Sequence, residues 1–411
     1  MTARTRTRAL VRKICSTSLL VAIVLGQTGI AQAGPRDQAK RIHDRIAGVP
    51  PSAETLDEMA AKISGGSAIE AAEIAMEDDG FYSVTLKNMA APWTNEAMSK
   101  FVPLNDYIAT VIGLVRDDAD FRTLLFDDVL YVGDSSLGLP SYSTSNNNHY
   151  EQLEDGGYSL KDYLVRVTQS SVNGLPSEAT AGVITSRAAA QAFFSGGTNR
   201  AMFRFTLINH MCTDLEQVAD VTLPPDRVRQ DVSRSPGGDS RVYLNNCVGC
   251  HSGMDPMTQA FAYYDFEYDS TSDPDAELGR LVYNTVTDTD PATGTRVKAK
   301  YHINSTTFEP GYITPDDHWD NYWRSGANRK LGWDSSLPGS GDGAKSLGKE
   351  FAYSEAFAEC QVEKVFENVC LRSPSNSADY SQIDSMVESF RSSNFSLKQV
   401  FAESAVYCMG E

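Results

Sequence analysis

Phe357-Ala-Glu-Cys-Gln-Val-Glu-Lys-Val-Phe-Glu-Asn-Val369 sets Phe357, Val362, Val365, Phe366 and Val369 along one stripe. That is the pattern of a helix with a single apolar face, which needs a partner to bury it. Beyond Pro374, the residues Met386, Phe390, Leu397, Val400 and Phe401 predict two further helices that pack with the first. Towards the N-terminus the same periodicity returns at Arg200 to Leu215 and at Arg187 to Phe194. It recurs in Tyr107, Val111 and Leu114 and in Ala39, Ile42 and Ile46. Pro50-Pro51 followed by Ser52 and Glu54 marks a helix stop and then an N-cap. The expected fold class is therefore mainly α: a helical protein of several parts, with a small module near its centre and a long irregular insert.

Between these helical stretches the chain loses its period. Ser143-Thr-Ser-Asn-Asn-Asn148 reads as a surface loop. From about Asp269 to Gly343 the sequence is irregular, with turn signals at Asp290-Pro291, Pro310-Gly311 and Pro338-Gly339. Trp319, Trp323 and Trp333 lie within it, and a segment so long and so aromatic is expected to pack down over something, a lid being one candidate.

The first residues determine how every cysteine is read. Arg4, Arg6, Arg8, Arg12 and Lys13 precede an apolar run ending in Ala31-Gln32-Ala33, the form of a signal peptide over residues 1–33 that is cut before Gly34. Cys15 leaves with it. No later run approaches the roughly 20 apolar residues of a membrane helix, so no transmembrane segment is expected after cleavage. The chain is thus expected to be periplasmic or otherwise exported. Its formal charge of −18 becomes more negative once the basic leader is gone. Such a surface repels nucleic acid and anionic lipid, and would steer a redox partner through a basic docking patch.

Cys247-Val-Gly-Cys250-His251 carries the chemistry. Two cysteines spaced Cys-x-x-Cys and followed at once by histidine are what covalent attachment of one haem c requires: both vinyl groups become thioethers and the imidazole reaches the iron. A redox-active dithiol would need a thioredoxin-like βαβ setting, and a zinc site a second ligand pair at suitable spacing. Neither is found, and a structural disulfide is the remaining alternative. Cys247 and Cys250 are therefore the haem-binding candidates and His251 the proximal iron ligand. Pro256 is expected to orient the ring by accepting the Nδ1 proton on its carbonyl. The distal ligand stays open. His302 is the named candidate, ahead of Met386, Met409, His210, His149 and His318, while Met254 and Met257 lie too close behind His251.

Cys247-Val-Gly-Cys-His-Ser-Gly-Met-Asp-Pro256, with Phe261-Ala262 and Tyr264-Asp265-Phe266 after it, resembles the corresponding pattern of the planctomycete-type cytochrome c proteins, which are large and exported. The likeness takes in Gly182-Val-Ile-Thr185, Cys212, Pro224-Pro225, Phe357-Ala-Glu-Cys360 and Phe395-Ser-Leu-Lys-Gln-Val-Phe401, so it covers roughly residues 180–268 and 350–411. It implies a single-haem module within a mostly helical protein. Met257, the pair Tyr263-Tyr264 and the aromatic insert depart from the family pattern. The expected organisation is a helical N-terminal region over 34–205, a cytochrome c-like haem module over 206–290, the aromatic insert over 291–345 and a helical C-terminal region over 346–411.

Cys212, Cys360, Cys370 and Cys408 remain, an even number suited to two disulfides in an exported chain. If Cys360 and Cys370 share one helix they lie about 15 Å apart and cannot bond. Cys212 with Cys360, and Cys370 with Cys408, is the preferred pairing, with free buried thiols as the alternative. Three functions follow in order: an electron carrier, a haem enzyme of peroxidase or oxygenase type with an open distal position, and a binding or assembly protein in which haem is structural.

Overall fold

A computed structural model describes residues 33–302, 308 and 310–410. The leader sequence and Cys15 lie outside the described residues. The protein is mainly α. Its principal helices are α1 (Pro35–Ala47), α2 (Ala53–Ser64), α3 (Ala68–Met76), α4 (Asp106–Arg116), α5 (Arg187–Phe193), α6 (Arg200–Met211), α7 (Val248–Thr258), α8 (Gly343–Ala352), α9 (Glu355–Cys370), α10 (Ser377–Ser392) and α11 (Leu397–Cys408). Ser52 caps α2 as its position predicts, its Oγ accepting from Thr55 N at 3.0 Å.

The first and last helices close on one another. α11 packs against α9, α10 and α3, and α1 packs against α2, α3 and α11. From α1, Arg41 and Arg45 donate to the carbonyls of Met409 and Cys408 at 2.6 and 2.7 Å, satisfying acceptors that α11 leaves open at its C-terminal end. One continuous apolar cluster runs from Ala39 through Leu114, Phe203, Met257 and Phe366 to Cys408. The N-terminal, central and C-terminal regions therefore share a core rather than each owning one.

Three small antiparallel pairs decorate the described helices: β1 (Leu130–Gly133) with β2 (Leu164–Val167), β3 (Tyr264–Glu267) with β4 (Arg280–Tyr283), and β5 (His318–Asp320) with β6 (Ser340–Asp342). The last pair lies inside the segment expected to be irregular. It is ordered by packing: Trp319 pairs with Gly341, donates its Nε1–H to Ser346 Oγ at 2.7 Å, and is buried together with Trp323. Instead of capping an open surface, Trp323 lies against the buried flank of α7, where a Cβ on Gly253 would fall 1.9 Å from its Nε1. Among the described residues no helix is long and apolar enough to cross a membrane.

Candidate haem site

A π-helical turn over Tyr243–Cys247 leads into α7, and Cys247 is the N-cap residue of that helix. Irregular turns of this kind recur at functional positions because they re-aim the side chains that follow. From Cys247 to Thr258 every residue is buried except Cys247, Cys250 and His251. These three stand at i, i+3 and i+4, so they share one face of the helix. The two cysteines are free thiols, whereas the other four described cysteines are bonded in pairs: Cys212 to Cys360 and Cys370 to Cys408, with Cα separations of 5.2 and 5.6 Å. This is the pairing preferred from sequence.

Burial, with Glu216 and Asp214 nearby, pushes the Cys250 thiol up from its ordinary range. Leu244 and Val221 are exposed apolar residues close to the motif, Leu244 three positions before Cys247 and Val221 against Gly249.

His251 is held from below, though not by the expected group. Its Nδ1 lies 3.2 Å from both carboxylate oxygens of Asp255. The carbonyl of Pro256 instead accepts from Gln259 Nε2 at 3.3 Å. The reason is helical geometry, since Asp255 is one turn beyond His251 on the same face, whereas Pro256 sits inside α7 with its carbonyl directed along the helix.

Asp255 is fully buried and anchored on its other side. Arg200, the first residue of α6, donates from Nε to Oδ1 at 2.8 Å and from Nη2 to Oδ2 at 3.0 Å. The Arg229 backbone N–H adds a bond to Oδ2 at 3.1 Å. Arg200 also bonds Asp231. The Arg229 guanidinium reaches Thr198 and stacks over the Tyr301 ring. Burial alone would raise the Asp255 carboxyl, but Arg200 first, then His251 and Arg229, hold it well below the usual carboxylate range. Two arginines and two aspartates balance, as buried charges must. Arg200, Arg229 and Asp231 did not stand out in sequence, and Asp255 was read only as a member of the motif, without a role. The available signal was local: His251 and Asp255 at i, i+4 on a helix.

The distal candidates are scattered. His302 Nε2 donates to the carbonyl of Thr314 at 2.7 Å, and its neighbour Tyr301 bonds the Thr258 carbonyl at the end of α7. His149 is held by Pro140 O and Gly133 N, His318 by Asp342, and His210 by Tyr107. Met386 is buried among the C-terminal helices beside Ser404, and Met254 and Met257 lie in the core. Comparison with protein-family models, with curated proteins and with solved structures finds no match for this chain.

Proposed function

We propose that the protein is an exported c-type cytochrome that binds one haem covalently and transfers electrons. The observation that carries this reading is the outward face of α7, where Cys247, Cys250 and His251 are the only residues of the helix not buried and both thiols are spared from disulfides. The donor set fits the group. Cys247 and Cys250 would hold the porphyrin through thioethers, and His251, its Nδ1 already occupied by Asp255, would offer Nε2 to the iron. When bound, the haem supplies a one-electron couple. The chain's own part is to fix the imidazole, to shield one side of the site with α7 and its buried flank, and to present an acidic rim at Glu216 beside Cys250 to a basic partner. Two disulfides agree with maturation in an oxidising compartment such as the periplasm.

A haem enzyme is the second reading, favoured by one observation: the Nε2 atoms of His149, His210 and His302, the nitrogen that His251 would offer to the iron, are already engaged by Gly133 N, Tyr107 Oη and the Thr314 carbonyl. A spectrum of the protein made in a host with c-type haem maturation, recorded oxidised, reduced and reduced under carbon monoxide, decides between them. A sharp reduced α-band indifferent to carbon monoxide is the expected result. High-spin bands or a carbon monoxide shift would transfer the site to the enzyme reading.

A further inference from the structure

Resting on the haem reading, we propose that Asp255 is a positioning residue that fixes the tautomer and orientation of His251 and lowers the potential of the haem it ligates. An ionised carboxylate can only accept hydrogen bonds, so the ring facing it must carry its proton on Nδ1 and leave the Nε2 lone pair free. A carboxylate also draws that proton more strongly than a neutral carbonyl does. The ring becomes the better donor, and a better donor stabilises the ferric state over the ferrous.

Three features suit Asp255 to this role. Its carboxylate is equidistant from Nδ1 through both oxygens, at 3.2 Å, so a small rotation of either partner keeps a bond. Arg200 grips it in a bidentate fork and the Arg229 N–H adds a third donor, so it cannot swing away. It is fully buried, so water does not compete with the ring for its oxygens. The ring's other neighbour in sequence, Pro256, has its carbonyl on Gln259.

The test compares the haem-loaded wild type with Asp255→Asn and Asp255→Glu. With Asn in place, the midpoint potential shifts upward and the His251 ring N–H resonance of the reduced protein moves to higher field, while Glu restores part of both. A wild type that carries haem, and whose potential and ring resonance are the same with Asn at 255, overturns the inference and leaves the haem reading standing. A wild type that acquires no haem overturns both. Should neither variant fold, the reduced wild type still decides: a low-field ring N–H that exchanges slowly with solvent is expected, and one that exchanges at the rate of a free imidazole contradicts the role of Asp255.

Discussion

The α9–α11 bundle and the surroundings of α7 are both buried, both cysteine-bearing, and held together by different forces. In the bundle, Val362, Val365, Phe366, Phe390, Val400 and Phe401 bury apolar surface, and Cys370–Cys408 locks two helices whose faces were already matched. Around α7 the inward-facing groups include Asp255, Arg200 and Arg229, so burial there rests on the Arg200–Asp255 ion pair and on the bond from the Arg229 backbone N–H to the same carboxylate. The first arrangement tolerates error and offers no chemistry. The second is sensitive to each member and leaves three reactive side chains facing outward. Stability and chemistry are divided between the two regions, with α6 and the Cys212–Cys360 bond linking them.

That contrast can be broken most forcefully at the cross-links. Chain-entropy arguments give about 5 kcal/mol for the Cys212–Cys360 loop and about 4 kcal/mol for the Cys370–Cys408 loop, their sequence separations being 148 and 38. Replacing each pair by serines and measuring urea unfolding should cost more for the first; the reverse order would mean that local packing rather than loop length governs both. Next, Arg200→Met leaves Asp255 buried with its main cation gone, and a loss of about 3–5 kcal/mol is expected. A loss under about 1 kcal/mol would show that the charge network does not support α7.

Gly253→Ala sharpens the comparison from the packing side. The new methyl would meet the fully buried Trp323 at 1.9 Å, so about 1–3 kcal/mol of overpacking is expected in thermal unfolding. A neutral change would show that the insert can move off α7.

The effect that is smallest near neutral pH, because it appears only in acid, is a pH limb. Burial first, and Lys364 second, bring His210 down from 6.5 to about 3, with Tyr107 Oη at 2.6 Å and the Trp93 ring packed beside it. The folded state then excludes a proton that the unfolded state takes up below pH 6.5. Stability is therefore complete above that pH and falls as pH drops from 6.5 towards 3, by at most about 1.4 kcal/mol per pH unit. In His210→Gln this part of the acid slope should vanish, and a wild-type slope left unchanged by the substitution would contradict it.

Much of this was legible in the residues. The helices announce themselves because a 3.6-residue period survives in Ala39, Ile42 and Ile46 or in Tyr107, Val111 and Leu114, whatever they later pack against. The strands did not, since Tyr264–Glu267 and His318–Asp320 are too short to show alternation and are paired by distant partners. The order of the insert came from Trp319 and Ser346, a contact no local pattern signals. At the site, Cys247, Cys250 and His251 are adjacent and were readable at once. Arg200, 55 residues before Asp255, was not, and with it went the real partner of the histidine ring. Aspartate and proline stand side by side in the motif, and the expectation of a carbonyl partner favoured the proline. Helix geometry favoured the aspartate one turn on.

The most direct test of the central claim is acidified organic extraction of the protein made with c-type haem maturation, beside Cys250→Ala and the double variant Cys247→Ala/Cys250→Ala. Covalent attachment predicts that haem stays with the wild-type chain, that its pyridine haemochrome band moves when one thioether is lost, and that the double variant releases everything. A wild-type chain that comes through extraction colourless would contradict the account.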